Sequence, residues 1–279
     1  MGEPKSDRCG SFTSAGWKRQ HGGRDMPSNW RSPPRPGAKS PEQGRSYNRL
    51  NREWRGGLDV AIFETLTLAE QARQLANPEG AVGLAVADWL NEINKQAIAR
   101  SVASLGVEAG NRVLEIGFGN GRAAPEVIAQ AADVQYSGID ISPTMVAEAS
   151  AFNTALVAAG RASFQLGSAE RMPFADDVFD RVFSIGVIHF WTDPAASLME
   201  VRRVLRFGGL MWMGCLAPQE APDFARTEYG FHLRNAAGWD ALCRAAGFTD
   251  VHAETIEFQQ TAASGAPIRR YRIIATGRA

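Results

Sequence analysis

The sequence predicts an α/β fold, a mostly parallel β-sheet with helices on both faces and an antiparallel hairpin at one edge. Between residues 113 and 213, short apolar strands alternate with segments of helical length. Strands joined through helices form right-handed βαβ units, which build parallel sheets. After Ala217 this pattern changes: Val251–Phe258 and Ile268–Thr276 read as strands joined by a short loop. A connection that short predicts an antiparallel pair.

The segment Val113–Gly121 is the centre of the predicted fold. Val113–Ile116 is an apolar run typical of a buried strand, and three glycines follow at alternate positions before a helix-prone stretch begins near Arg122. A strand that runs through glycines into a helix leaves backbone N–H groups free, and it lets a ligand approach the main chain closely. A glycine loop on its own is equally typical of a tight turn, so the later elements decide between the two.

The later elements follow from capping and stop signals. Ser142 with Pro143 and Asp193 with Pro194 place an N-cap directly before a proline at the first helical position. Glycines mark the helix ends. In chain order, the predicted elements are a helix over Ala123–Ala131, a strand over Gln135–Ile139, a helix from Ser142 to Gly160, strands over Phe164–Leu166 and Val182–Ile185, a helix from Asp193 to Gly208, a strand over Leu210–Met213 and a helix over Ala236–Ala246.

Two helices are predicted ahead of the first strand. Apolar positions recur at helical spacing from Leu58 to Ala76, and a second helix runs to about Ser104. Asn77 followed by Pro78 is the predicted N-cap of that second helix. These helices carry more apolar surface than a linker needs, so they pack either on the outer face of the sheet or over its ligand-binding edge.

Composition and charge restrict the class of protein. Hydrophobic residues make up 44% of the 279 positions, which is enough for a sizeable core. Residues 1–55 hold twelve Lys or Arg and five Asp or Glu, whereas residues 56–279 hold 18 and 25. We therefore expect a disordered basic tail over 1–55 and an acidic folded body, which disfavours nucleic acid as a partner of that body.

Cysteine usage and hydropathy suggest where the protein works. Cys9, Cys215 and Cys243 are widely separated and match neither a disulfide framework nor the ligand spacing of a metal site. A reducing, cytoplasmic location is the expectation. We expect no bound metal, and no apolar run reaches the length of a membrane span.

Polar residues lie at the predicted carboxyl ends of four strands. They are Glu115 with its glycine loop, Asp140, the segment 167–170 and the segment 184–191. In an open parallel sheet these ends form the ligand crevice. Asp140 lies 19 residues beyond Gly121, and a carboxylate there accepts hydrogen bonds from both hydroxyls of a ribose. A helix cap or turn is the alternative role for an aspartate at this position.

These motifs resemble the class I S-adenosylmethionine-dependent methyltransferases, in particular the type 11 group that contains the ubiquinone/menaquinone C-methyltransferases. The resemblance covers residues 75–276, and it implies a Rossmann-like, seven-stranded sheet with S-adenosylmethionine as cofactor. It also implies a cofactor-binding domain over 105–279 and a helical lid over 56–104. The matching segments are Val113–Gly121, Gly138–Pro143, Met172–Phe174, Phe179-Asp180, Asp193-Pro194, Glu200–Gly209 and Ala245–Phe248.

The resemblance implies roles by position. The glycine loop and Glu115 would hold the methionine end of the cofactor, Asp140 the ribose, and Ile141 the adenine. Residues 168–170 would border the adenine edge, and residues 184–187 the side of methyl transfer. The implied cofactor-binding residues are Glu115, Gly117, Phe118, Gly119, Gly121, Asp140, Ile141, Ser168, Ala169, Glu170 and Ser184.

Two positions depart from the family pattern. The family often has aspartate where this chain has Ser168, so recognition of the adenine amine is weaker or passes to Glu170. Phe207 replaces a proline that commonly precedes the two glycines, which alters the turn there. Neither departure touches the glycine loop or Asp140.

The predicted activity is in-line methyl transfer to a small, apolar or aromatic organic acceptor. His189 follows the fourth strand beside Phe190 and Trp191, so it is the candidate general base if the acceptor must lose a proton. A loop histidine that shapes the pocket is the other interpretation. Alternative functions are a catalytically silent S-adenosylmethionine-binding partner protein and an RNA methyltransferase that uses the basic tail. A dinucleotide site is disfavoured, because its fingerprint needs Gly or Ala where this chain has Arg122.

Overall fold

The computed structural model describes Phe63, residues 65–261 and residues 267–279. The predicted tail over residues 1–55 lies outside this part of the chain. Seven strands are described: β1 (Arg112–Ile116), β2 (Gln135–Asp140), β3 (Ala162–Leu166), β4 (Phe179–Ile185), β5 (Leu205–Leu216), β6 (Thr249–Thr261) and β7 (Pro267–Arg278). The helices are α1 (Leu68–Ala76), α2 (Gly80–Ala103), α3 (Ala124–Ile128), α4 (Pro143–Phe152), α5 (Thr154–Ala158), α6 (Pro194–Val204) and α7 (Ala236–Ala245).

The strands form one sheet in the order β3-β2-β1-β4-β5-β7-β6. The pairs from β3 through β5 are parallel, and β7 runs antiparallel to both β5 and β6. This confirms the predicted mostly parallel sheet with an antiparallel hairpin at its edge. The chain order reverses between β1 and β4, and the carboxyl ends of strands at such a switch point form a crevice.

Buried side chains pack into separate clusters around the sheet. A further cluster joins α1 and α2 to the segment that follows β5. It contains Phe63 and Trp89, whose ring centroids are 5.5 Å apart, together with Phe224 and Phe231. The N-terminal helices therefore pack beside the carboxyl ends of the strands. Among the described helices, none has both the length and the apolar character needed to cross a membrane.

The boundaries of the first two helices differ from the prediction. The helix predicted over 58–76 is interrupted at Thr67, which is extended and forms a capping box with Glu70, so α1 begins at Leu68. The part of the predicted helix before Phe63 lies outside the described residues. Asn77 does not start α2: its N–H donates to the Arg73 carbonyl and closes α1. The linking Pro78 is held by the Ser142 hydroxyl, which donates to its carbonyl oxygen.

Two later elements also differ from the prediction. The helix after β2 is interrupted at Asn153, whose side-chain amide donates to the Gly121 and Ala149 carbonyls at 3.0 and 2.9 Å. This bond ties the helix break to the glycine loop. α6 ends at Val204, and β5 starts at Leu205 instead of Leu210, because Leu205 already pairs with Phe179 on β4.

Candidate functional site

A cavity of about 410 Å³ lies at the carboxyl ends of the central strands. It is bounded by the loop after β1, the ends of β2 and β4, one side of α2, and residues of β5 and β7. It brings together ten of the residues singled out in the sequence. They are Glu115, Gly117, Phe118, Gly119, Asp140, Ile141, Ser168, Ala169, Glu170 and His189.

Two of the expected site residues lie behind this lining. Ser184 is fully buried in β4, and its hydroxyl donates to the Ile116 carbonyl at 2.8 Å. Gly121 lies at the back of its loop, where its carbonyl accepts the bond from Asn153. Both residues therefore support the loop and the strand ends from behind the cavity wall.

The glycine loop needs residues without a side chain at two of its positions. Gly117 has a φ of +72°, and an added Cβ would lie 2.4 Å from a methyl carbon of Val187. Gly119 has a φ of +57°, and an added Cβ there would meet no atom within 4 Å among the described residues. The Gly119 backbone thus faces the open cavity, where a ligand can approach the main chain directly.

Glu115 is a buried carboxyl group in the cavity wall. The Tyr136 hydroxyl donates to its Oε2 atom at 2.5 Å. Burial raises the pKa of Glu115 to about 8, because a carboxylate loses its hydration inside the protein, and the nearby Asp140 adds to this effect. The side chain is therefore protonated at neutral pH, and an incoming cationic group would favour its ionised form.

Asp140 ends β2 and is braced by main-chain donors. The Gly119 N–H donates to Oδ2 at 3.0 Å, and the Ser142 N–H donates to Oδ1 at 2.9 Å. Burial raises the pKa of Asp140 to about 6, although these backbone bonds act in the opposite direction. A carboxylate held by one donor on each oxygen keeps acceptor capacity on both oxygens for a ligand that donates two hydroxyls.

The donor set fits the cofactor that the family resemblance implies. Asp140 offers the acceptors that a ribose needs, and Glu115 offers a carboxyl group for an ammonium. Ile141 is 52% exposed at the cavity edge, which gives an adenine an apolar surface to pack on. The Ser168 hydroxyl accepts the Glu170 N–H at 3.3 Å within its own turn. Glu170 also lines the cavity and remains available to the adenine edge.

His189 lies at the other end of the cavity, in the short 3-10 turn Ile188–Phe190. It is 5% exposed and stacks on Phe231 with ring centroids 5.3 Å apart. Burial lowers its pKa to about 3, and the charge of Arg272 adds to this shift. Its Nδ1 atom has no hydrogen-bond partner among the described residues. The imidazole is unprotonated at neutral pH because of its burial, and its Nδ1 is a buried nitrogen without a hydrogen-bond partner among the described residues.

Several lining residues were not anticipated from the sequence. Asn91 on α2 donates to Asn120 of the glycine loop at 2.5 Å, and Asn120 donates to Asp88 at 2.9 Å. Arg270 and Arg272 line the cavity from β7. In the sequence, the spacing of the polar residues on α2 was a signal for the contact of Asn91, and the alternation along β7 was a signal that Arg270 and Arg272 share one face of the strand. Within the described part of the chain, no group of three His, Cys, Asp or Glu is arranged to hold a metal ion.

Known proteins share both the sequence pattern and the fold. A family model described as a methyltransferase domain matches residues 114–213. The O-methyltransferase resE of Aspergillus sclerotiorum is 36% identical over 118 residues, which make up 42% of this chain and 44% of resE. The ubiquinone/menaquinone biosynthesis C-methyltransferase UbiE of Geotalea daltonii is 34% identical over 152 residues, which make up 52% of this chain and 63% of UbiE.

The chain thus spans between 44% and 63% of the length of these two relatives. Among solved structures, phosphoethanolamine N-methyltransferase 2 of Haemonchus contortus in complex with S-adenosyl-L-methionine is similar in fold, with a TM-score of 0.60 at 17% identity. The similarity covers 77% of this chain and 60% of that one. These matches identify residues 114–213 as a methyltransferase domain, and the glycine loop and strand order resemble those of S-adenosylmethionine-dependent methyltransferases.

Proposed function

We propose that this protein transfers the methyl group of S-adenosylmethionine to a small, apolar or aromatic organic acceptor. The observation that carries the proposal is that one cavity joins the carboxyl groups at the ends of β1 and β2 to an aromatic region around His189. The names of resE and UbiE, an O- and a C-methyltransferase, support a small-molecule acceptor. They leave the acceptor atom open.

The residues at the strand ends would bind and orient the cofactor. Asp140 would accept hydrogen bonds from the ribose hydroxyls, and the Gly117–Gly121 loop would follow the methionine end. Glu115 would face the ammonium group from beneath that loop. When bound, S-adenosylmethionine supplies an electrophilic methyl group on a sulfonium sulfur, so the protein contributes mainly alignment and exclusion of water.

His189 would accept the proton of the acceptor. Its lowered pKa keeps the imidazole unprotonated throughout the physiological pH range, and negative charge that develops on the acceptor would raise this pKa as the proton moves. The buried Nδ1, which has no hydrogen-bond partner among the described residues, supports this role. The aromatic neighbours Phe190 and Phe231 would hold a planar acceptor beside the ring.

Residues 56–104 would form a lid over the acceptor. Leu90, Ile93 and Ala97 on α2 line the cavity, which supports a role in closing it. Trp89 lies on the other side of the helix and packs against Phe63. A helix that contacts both ends of the cavity would exclude water from the site of transfer.

The test is an acceptor screen with methyl-labelled S-adenosylmethionine. The purified protein is incubated with a panel of hydroxylated aromatic compounds and with a small-molecule extract, and labelled products and S-adenosylhomocysteine are measured. Release of S-adenosylhomocysteine that depends on the acceptor and is lost in Asp140→Ala is expected. Tight cofactor binding without any turnover would contradict the proposal and favour the silent binding protein.

We also propose a cytoplasmic location, since Cys215 and Cys243 are buried free thiols.

A further inference from the structure

We propose that the methyl acceptor is an aromatic acid whose anionic group is bound by a guanidinium wall formed by Arg270 and Arg272. This inference deepens the proposed function and rests on it, because it assigns a substrate class to the acceptor end of the same cavity. It is carried by the position of the two arginines, by the separation of charge along the cavity, and by the field of Arg272 at neighbouring groups.

The guanidinium wall is part of the cavity and is well shielded from solvent. The two arginines are two residues apart on β7, so their side chains leave the same face of the strand. Arg270 is 4% exposed and the Arg272 side chain 21% exposed, and both line the cavity. Arginines are rarely this buried without a function or a paired charge. Arg272 is held in place by Glu220 at 2.8 Å and by the Asn94 amide oxygen at 3.1 Å.

Charge is separated along the cavity, except that Arg122 lines it at the glycine loop, where it pairs with Asp88 and Glu148. The lining carboxyl groups Glu115, Asp140 and Glu170 lie at the ends of β1 and β2 and after β3, on one half of the sheet. The guanidinium wall lies on the other half, three strands away from β1. With strands about 4.8 Å apart, that separation is roughly 14 Å. The cofactor end thus suits a ligand with cationic and hydroxyl groups, and the acceptor end suits an anion.

The field of Arg272 reaches groups in the cavity wall. Its charge contributes to the lowered pKa of His189. At Cys215, which also lines the cavity, burial raises the pKa to about 12 while the charge of Arg272 acts in the opposite direction. Both effects have the sign of a positive charge that acts on groups in the cavity wall. An anionic group in this part of the cavity is therefore stabilised.

The aromatic side chains define the rest of the acceptor. Phe190 and Phe231 lie edge to face with centroids 4.6 Å apart beside the His189 ring. A planar acceptor against these rings would place a hydroxyl at His189 and its acidic group at the guanidinium wall. In the reaction, the acceptor oxygen gives its proton to His189 and forms a bond to the methyl carbon. The carbon–sulfur bond breaks, and its electron pair stays on sulfur.

The experiment compares two matched probes on protein saturated with S-adenosylhomocysteine. They are 6-hydroxy-2-naphthoate and its neutral amide, 6-hydroxy-2-naphthamide, each titrated by fluorescence and calorimetry. We expect the acid to bind at least tenfold more tightly than the amide. The preference should fall in the double variant Arg272→Gln with Glu220→Gln, which removes one guanidinium together with its paired carboxylate, and it should disappear when Arg270→Gln is added. Arg269→Gln is the control, since Arg269 is 72% exposed on the same strand.

Equal binding of the two probes to the wild-type protein, no binding of the acid, or a preference that survives the triple variant would overturn the inference. Each protein is first titrated with S-adenosylhomocysteine alone, and this titration separates a failure of the present inference from a failure of the proposed function. Absence of an acid preference in the wild-type protein, with intact binding of S-adenosylhomocysteine, contradicts only the acceptor class. Absence of S-adenosylhomocysteine binding contradicts the proposed function itself. Arg272→Lys, which keeps the charge, should retain part of the preference.

Discussion

Replacement of Asp140 by alanine is the most direct test of the cofactor site. Its two carboxylate oxygens each accept one backbone N–H, from Gly119 and from Ser142, and each retains capacity for a ribose hydroxyl. Hydrogen bonds to a charged group contribute about 1.5–3 kcal/mol. Asp140→Ala should therefore weaken binding of S-adenosylhomocysteine by about 10- to 150-fold.

The pH dependence of binding provides a second, independent signature. Because burial raises the pKa of Asp140 to about 6, its charged form is lost as the pH falls through 6. Ribose hydroxyls donate to the carboxylate more strongly than to the neutral acid. Affinity for S-adenosylhomocysteine in the wild-type protein should therefore decrease below pH 6, and Asp140→Ala should lack this decrease.

The assay is isothermal titration calorimetry between pH 5 and 8, combined with urea unfolding of each variant. Asp193→Ala is the matched control, because Asp193 also accepts a backbone N–H, from Ala196 at 3.0 Å, but lies outside the cavity lining. It should lose about 0.5–2 kcal/mol of stability as a lost N-cap, with unchanged affinity. A folded Asp140→Ala protein that binds S-adenosylhomocysteine as tightly as the wild type would refute the reasoning.

Three further predictions concern the rest of the cavity. Without ligand, the folded chain retains the Glu115 proton between pH 4.5 and 8, whereas the unfolded chain releases it. The free energy of unfolding of the wild-type protein, compared with that of Glu115→Gln, should therefore fall over this range by up to about 1.4 kcal/mol per pH unit. A difference in urea unfolding that stays constant with pH would contradict this. His189→Gln should lower kcat at least tenfold with an unchanged Kd for S-adenosylhomocysteine, whereas His232→Gln, outside the cavity lining, should leave both unchanged. Hydrogen exchange over residues 80–103 should slow when S-adenosylhomocysteine binds. This slowing should be smaller in Asn91→Ala, which removes the bond to the glycine loop. Equal protection with and without ligand would show that α2 is a fixed scaffold.

Local signals explain why the cofactor end was predictable from the sequence. The glycine loop, the carboxylate at the end of β2 and the Ser142-Pro143 cap each depend on residues that are neighbours in the chain, and all three occur where predicted. The capping box at Thr67 was also readable, since threonine precedes Glu70 by three positions. The break at Thr67 was missed because the prediction followed apolar periodicity alone.

The acceptor end depends on contacts that are distant in the chain. Which face of β7 meets the cavity is fixed by its register with β5, where Arg272 pairs with Leu216, and hydropathy does not determine that register. Ser184 was expected in the lining, but β4 is a central strand with Val182, Phe183 and Ser184 all buried. In a strand buried on both faces, residue type does not indicate which side chain faces a ligand.

The polar residues of α2 connect the two ends of the cavity physically. At one end, Asn91 bonds to Asn120 beside the glycines that would follow the cofactor. At the other end, the Asn94 oxygen accepts a bond from Arg272 of the guanidinium wall. The two asparagines are three residues apart and therefore lie on one face of the helix. A shift of α2 would strain both bonds together, so cofactor contacts at the glycine loop would also fix the position of the arginine that faces the acceptor. We therefore expect ligand binding at the two ends of the cavity to be coupled through α2.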